Sequence, residues 1–347
     1  MSETEKKYTP VSKLGEFGLI DKLTTGFAPV NASTVKSVGD DAAVIDYDGK
    51  KTIVSTDLLI EGIHFDLVYT PLKHLGYKSV VVNLSDIYAM NAQPKQITMS
   101  LAISSKFTVE ALEELYEGVK LACKNYQVDL VGGDTTSSVT GLVISVTAIG
   151  EAVADEIVYR NGAKPGDLIC VSGDLGAAYL GLQILEREKR IYLEHPDVQP
   201  EIENAKYLIE RHLKPEARKD VIRFLKEIEL KPTAMIDVSD GISSDVMHLC
   251  KQSGTGCEIN EGAVPISQDA YNMALQFNID PITCALNGGE DYELLFTIEP
   301  EDETKLAGEY AFSIIGQMTE REKGVSLISK AGNRHPLKAQ GWNHFTG

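Results

Sequence analysis

Apolar positions along the chain follow two rhythms. Residues 11–28 place Leu14, Phe17, Leu19, Ile20, Leu23 and Phe27 at helical spacing, which predicts an amphipathic helix ending near Gly26. The runs at 42–45 and 52–54 have the size and β-branching of strands, and Asp48-Gly49 between them is a hairpin turn signal. Residues 71–90 read as a helix whose later part, Val80 to Ile87, is apolar except for Asn83, Ser85 and Asp86. A strand is expected over 97–103 and a helix over 108–125 with Thr108 as N-cap. A short strand at 128–131 then runs into Gly132-Gly133-Asp134-Thr135-Thr136, and another covers 142–150.

The second half repeats the alternation. A strand over 168–171 leads into Gly173-Asp174-Leu175-Gly176-Ala177-Ala178, which opens a helix to about residue 190. Residues 191–206 are polar, carry Pro196 and Pro200, and read as a connection. A strand over 234–238 ends in Ser239-Asp240-Gly241 before a further helix, and Asn287-Gly288-Gly289-Glu290-Asp291 leads into a strand over 292–298. Strands alternating with helices indicate an α/β or α+β protein, and a polar break near 151–155 divides it into domains at 1–151 and 152–347.

Length and charge narrow the picture. A chain of 347 residues can bury two cores. Its net charge of −18 argues against sequence-independent nucleic-acid binding, which needs Lys and Arg on phosphates. No apolar run suits a membrane span, and the N-terminus lacks the apolar core of a secretory signal. The 5 cysteines are odd in number, scattered, and form no C-x-x-C pair, which suits a reducing cytoplasm.

The candidate chemistry is acidic. Folding 42–45 against 52–54 would set Asp40 and Asp41 opposite Thr56 and Asp57, crowding carboxylates that need a proton or a cation between them. A hard divalent ion with oxygen ligands suits such a set. Asp86 sits inside an apolar helix, where a buried charge is expensive unless paired or bound to metal. Asp134, Asp237, Asp240 and Glu290 also lie at strand ends or helix junctions, beside glycines and hydroxyls. Together they fit magnesium that keeps several waters and bridges to substrate phosphates. Gly173–Ala178 has the layout of an anion-binding helix end without a full nucleotide fingerprint. A P-loop, a kinase H-R-D and a zinc-protease H-E-x-x-H do not occur in the sequence. Of the 7 histidines, His64 is the one near the first acidic stretch.

Eight motifs then fall in a recognisable order: Gly39-Asp-Asp-Ala-Ala, Ser55-Thr-Asp57, Gly62-Ile-His64-Phe, Val82-Asn-Leu-Ser-Asp86, Gly132-Gly-Asp-Thr-Thr136, Gly162-Ala-Lys-Pro-Gly-Asp167, Ile236-Asp-Val-Ser-Asp-Gly241 and Gly288-Gly-Glu-Asp-Tyr-Glu293. The chain resembles the thiamine-monophosphate kinase family, within the aminoimidazole ribonucleotide synthetase superfamily, from Gly15 to Phe345. No cysteine precedes Cys123, where selenophosphate synthetases carry a reactive residue, and the chain does not end in the cysteine of the hydrogenase-maturation relatives.

The resemblance implies a two-domain α/β fold of the aminoimidazole ribonucleotide synthetase type. Its N-terminal domain would pair sheets in a homodimer, and its C-terminal domain would complete the ATP and substrate sites. It implies ATP-dependent phosphorylation of thiamine monophosphate to thiamine diphosphate with several Mg2+ ions. Asp41, Ser55, Thr56, Asp57, Asp86, Asp134, Asp237 and Asp240 match the family's metal ligands. Tyr116, Gly133, Asp134, Arg160 and Ser239 match its ATP contacts, and His64, Glu290 and Trp342 its substrate contacts. No catalytic side chain is implied, because the transfer is direct and metal-assisted. Two alternatives stay open at this point: a sister ATP-dependent ligase of the superfamily, and a non-catalytic metal- or nucleotide-binding module.

Overall fold

A computed structural model describes residues 9, 22–36, 44–306 and 312–338. The chain separates into two compact units, Met1–Ile87 with Gln93–Ala154, and Tyr88–Ala92 with Asp155–Gly347. Of the helix expected over 11–28, residues 11–21 lie outside the described residues, and residues 22–24 are helical.

The first unit holds strands β1 (Thr34–Lys36), β2 (Val44–Ile45), β3 (Lys51–Ile60), β4 (Gln93–Ile103), β5 (Asp129–Ser137) and β6 (Val143–Ala152), with helices α1 (Leu72–Ala89) and α2 (Val109–Tyr126). Its main sheet has the order β3-β6-β4-β5, antiparallel except for the β4–β5 pair. Alternate residues of β6 (Ile144, Val146, Ala148) and of β4 (Met99, Leu101) are buried, so one face of the sheet is core. The other face leaves Val54 and Leu58 of β3 at 61% and 49% exposure. Helix α2 begins where expected: the Thr108 hydroxyl accepts from the Ala111 N–H at 3.3 Å.

The hairpin expected around Asp48-Gly49 does not form. The chain does turn there, with the Lys50 N–H donating to the Tyr47 carbonyl at 3.2 Å and φ of 50° and 80° at Asp48 and Gly49. Its two arms go elsewhere: β2 pairs with β1 (Thr34↔Ile45), while β3 pairs along 10 residues with β6. Tyr47, just before the turn, is drawn to Gln96 of β4 by a 2.5 Å hydrogen bond, and β2 just ahead of it is held by β1. Thr56 and Asp57 pair with Thr147 and Val146, and the Asp40–Asp41 stretch lies outside the described residues.

The second unit contains β7 (Leu168–Ser172), α3 (Ala177–Glu194), α4 (Lys206–Leu213), α5 (Lys219–Glu227), β8 (Ala234–Asp237), α6 (Ile242–Ser253), β9 (Gly256–Asn260), α7 (Gln268–Gln276), α8 (Pro281–Asn287), β10 (Leu294–Ile298), β11 (Phe312–Thr319), β12 (Val325–Ile328) and β13 (Arg334–Pro336). The sheet order is β13-β12-β9-β11-β7-β10-β8, antiparallel apart from the β9–β12 pair. Both faces are buried, which explains the continuous apolar runs of its strands. Ile169, Val171, Ile236 and Leu295 pack with Val246 and Leu249 of α6. The alternate residues Cys170, Met235, Leu294 and Phe296 pack with Val221 and Leu225 of α5. Helices α4 and α5 follow a stretch that reads in sequence only as polar connection.

Candidate functional sites in the two units

In the first unit the two-residue period of β3 turns Ser55 and Asp57 toward α1, where Asn83 and Asp86 are three residues apart and share a face. The Ser55 hydroxyl donates to Asp86 Oδ2 at 2.5 Å, and the Asp57 N–H donates to Asn83 Oδ1 at 2.9 Å. Asn83 is buried and held in turn, its amide donating to the Ser79 carbonyl at 3.0 Å. Burial, and then the neighbouring Asp86 charge, push the Asp57 carboxyl up to about 6. An oxygen-only set with two mutually repelling carboxylates is matched to a hard divalent cation.

Thr56 points the other way. Its hydroxyl donates to the Val146 carbonyl and accepts from Thr147, both at 3.0 Å, so its side chain does not join Asp57 and Asp86. Asp134 is exposed on β5, the opposite edge of the sheet from β3, and accepts from the Thr135 N–H at 2.9 Å. Three inter-strand steps separate those edges, about 14 Å. Within this unit Asp134 and Asp57 are not brought together. Gly133 has a packing reason as well: a Cβ there would lie 1.9 Å from the Met99 carbonyl oxygen of β4. The Tyr116 phenol is buried, packs edge-on to Phe27 at 6.3 Å between ring centroids, and is raised to about 12 by that burial. His64 follows β3 in a tight loop, where its Nδ1 accepts from the Ile60 N–H at 3.1 Å. That bond places the remaining ring proton on Nε2.

In the second unit, two sequence motifs far apart in the chain lie side by side. The Glu290 N–H donates to the Ser239 carbonyl at 2.8 Å, the Tyr292 N–H to Val238 at 2.9 Å, and the Val238 N–H to Glu293 at 2.8 Å. Asp237, at the end of β8, and Asp245, in the first turn of α6, are both buried. Burial first, then the charges of Asp237 and Asp240, raise Asp245 well above the usual carboxylate range, and the Arg160 charge opposes them. Asp237, Asp240, Asp245 and Arg160 thus form one electrostatic group. Arg160 is exposed, and the turn that follows it is held by Asp167, which accepts from the Lys164 N–H at 3.0 Å.

The turn at Gly173–Ala178 is occupied by the protein itself. Asp291 accepts from the Gly176 N–H at 2.7 Å and the Ala178 N–H at 3.3 Å, so an internal carboxylate caps α3 in place of a ligand anion. Asp291, Arg211 and His212 were not singled out as a group by the sequence; the last two sit on the unforeseen α4. Asp41 and Trp342 lie outside the described residues. Among the described residues, no three His, Cys, Asp or Glu side chains are grouped to hold a metal. The pairs found are open sets that substrate phosphate oxygens and water would complete. Also among the described residues, no helix is long and apolar enough to cross a membrane.

The profile for AIR synthase related protein, N-terminal domain, matches residues 39–152, and the corresponding C-terminal domain matches residues 164–328. The thiamine-monophosphate kinase of Aquifex aeolicus (strain VF5) is 37% identical over 335 residues, covering 96% of this chain and 99% of that protein. The thiamine-monophosphate kinase of Bacillus subtilis (strain 168) is 35% identical over 339 residues, covering 96% and 100%. Among solved structures, AaThiL complexed with AMPPCP and TMP superposes with a TM-score of 0.74 at 35% identity, covering 99% of this chain and 100% of that one. The motifs of both units and these near full-length likenesses agree: the chain belongs to the thiamine-monophosphate kinase family of the AIR synthase related proteins.

Proposed function

We infer that this chain transfers the γ-phosphate of ATP to thiamine monophosphate, yielding thiamine diphosphate. The observation that carries the reading is the likeness, over 99% of the chain, to a kinase structure holding an ATP analogue together with TMP. The acceptor is a phosphate monoester and already an anion, so no strong general base is required. The task is to hold two polyanions close together on a protein whose own net charge is −18.

Magnesium fits the residues present. Asp57, Asp86 and Ser55 would hold it in the first unit, with Asp41 as a further ligand, and Asp237 and Asp240 in the second. Asp134, on the opposite edge of the sheet, would serve a separate ion, and the Thr56 side chain, on the other face of β3, stays outside the set. When bound, the ions neutralise phosphate charge and stabilise the transferring group. The chain's own side chains do the rest. Arg160 offers a two-pronged donor to ATP phosphate, and Tyr116, Gly133, Asp134 and Ser239 contribute ATP contacts. His64, with Nδ1 committed to Ile60, presents Nε2–H to the acceptor phosphate. Glu290 and Trp342 suit the cationic thiazolium ring. A second copy of the chain would cover the open sheet face around Val54 and Leu58, giving a homodimer, and the compartment is the cytoplasm. Transfer is direct, with both substrates bound at once.

Incubation with ATP, magnesium and thiamine monophosphate should give thiamine diphosphate and ADP in equal amounts. Enzyme treated with γ-labelled ATP alone should carry no label after rapid denaturation. Failure to form thiamine diphosphate overturns the activity; stable label on the protein overturns direct transfer.

A further inference from the structure

Glu290 sits at a demanding position. It adopts φ of 59°, and Tyr292 two residues on adopts 52°, both in the left-handed region that non-glycine residues enter only when surrounding contacts hold them there. The backbone is held by the Ser239 and Val238 carbonyls, and further contacts come from the end of α4. Arg211 donates to Glu293 Oε1 at 2.9 Å and to the carbonyls of Asp174 and Asp291 at 3.0 and 3.2 Å, fixing the segment after Glu290. Its neighbour His212 reaches Glu290 itself, with Nδ1 3.0 Å from Oε2.

His212 has little freedom to be anywhere else. It is 4% exposed. Helix α4 is pressed onto α3 at Gly181, where a Cβ would lie 2.1 Å from the Leu208 carbonyl oxygen and 3.2 Å from the His212 Cβ. The Glu290 carboxylate, by contrast, is 30% exposed. A glutamate on a loop normally samples several rotamers, and a ligand must select one of them at an entropic cost. A buried imidazole against one carboxylate oxygen removes that freedom beforehand.

We propose that His212 is a positioning residue for Glu290, and through it sets the affinity for the cationic ring of thiamine monophosphate. This rests on the reading of Glu290 as a substrate contact. The imidazole holds Nδ1 in close contact with Oε2 at 3.0 Å without the alignment of a hydrogen bond, so the restraint it places on Glu290 is one of contact.

Two near-isosteric variants separate positioning from simple packing. His212→Asn puts an amide N–H close to the place of Nδ1, whereas His212→Gln puts it close to the place of Nε2. Both remain polar and fill much of the same space, and thermal melts should verify that both fold. His212→Gln should raise the KM for thiamine monophosphate about 10-fold, the scale of the ordering cost of one immobilised side chain, with the KM for ATP unchanged and kcat within about two-fold. His212→Asn should restore most of the loss. Glu290→Gln should itself raise the same KM, and the double variant His212→Gln/Glu290→Gln should be no worse than Glu290→Gln. Multiplying effects in the double variant, equal losses in Asn and Gln, or a parallel rise in both KM values would overturn the proposal while leaving the Glu290 reading intact. An unchanged KM in Glu290→Gln alone would remove that reading and the proposal together.

Discussion

Asp291 Oδ2 accepts the Gly176 N–H at 2.7 Å across 115 residues of sequence, so the amino end of α3 is capped from within the chain. Burial lifts this carboxyl from 3.8 to about 6 even though the Arg211 charge and both helix N–H groups pull it down. The folded state therefore holds the proton more tightly than the unfolded chain. The fold loses stability as pH rises from about 4 to about 6, by up to about 3 kcal/mol from this group, and the loss is complete above that range. Chemical denaturation of wild type and Asp291→Asn between pH 4 and 8 should show the wild type falling relative to the variant through that window. Parallel curves would show that the carboxyl titrates normally.

Ser55 and Asp86 make the corresponding joint in the first unit. Ser55→Ala removes the donor at 2.5 Å from Asp86 Oδ2 and leaves the sheet ladder intact. The apparent requirement for magnesium should rise about 10- to 100-fold, with unchanged thermal stability and partial recovery in Ser55→Thr. Titrating activity against free magnesium is the measurement. An unaltered midpoint would mean that this hydroxyl serves packing alone.

The turn after Arg160 is held by Asp167, which accepts from the Lys164 N–H. Arg160→Ala should raise the KM for ATP about 10- to 100-fold, as expected for lost charge-assisted bonds to phosphate, with a smaller effect on the KM for thiamine monophosphate. Initial-rate kinetics in both substrates decide it. A lower melting temperature with an unchanged ATP constant would assign Arg160 to structure.

Leu58 leaves 49% of its surface exposed on the open face of β3. Leu58→Asp places a charge there without touching the buried face. Light scattering after size exclusion should find the mass of two chains for the wild type and of one for the variant. A dimeric variant would place the subunit contact on another surface.

The acidic residues were legible in the sequence because each breaks a local rule. Asp86 interrupts an apolar helix, Asp237 closes a strand, and Asp240 and Glu290 stand beside glycines. Their company was less legible. Asp48-Gly49 is a strong hairpin signal, but it reports only the turn, and the partner that β3 takes is made some 80 residues later. Helix α4 was missed because it is only 8 residues long and directly follows a polar stretch, and the inward contacts of Arg211 and His212 depend on loops far along the chain. Thr56 shows the limit of reading neighbours together: one residue from Asp57, it lies on the other face of the sheet.

The position of β7 has a consequence in time. It is the first strand of the second sheet to leave the ribosome, yet its neighbours there are β10 and β11, which begin on the order of 120 residues later. At roughly 5–20 residues per second, the Leu-Ile-Cys-Val-Ser strand waits about 6–25 s with both edges unpaired. During synthesis it is an adhesive segment, guarded only by whatever the nascent chain folds over it. Slow elongation, or a pause before residue 294, lengthens that exposure, so the yield of soluble protein should track translation speed more steeply than the stability of the finished fold would suggest.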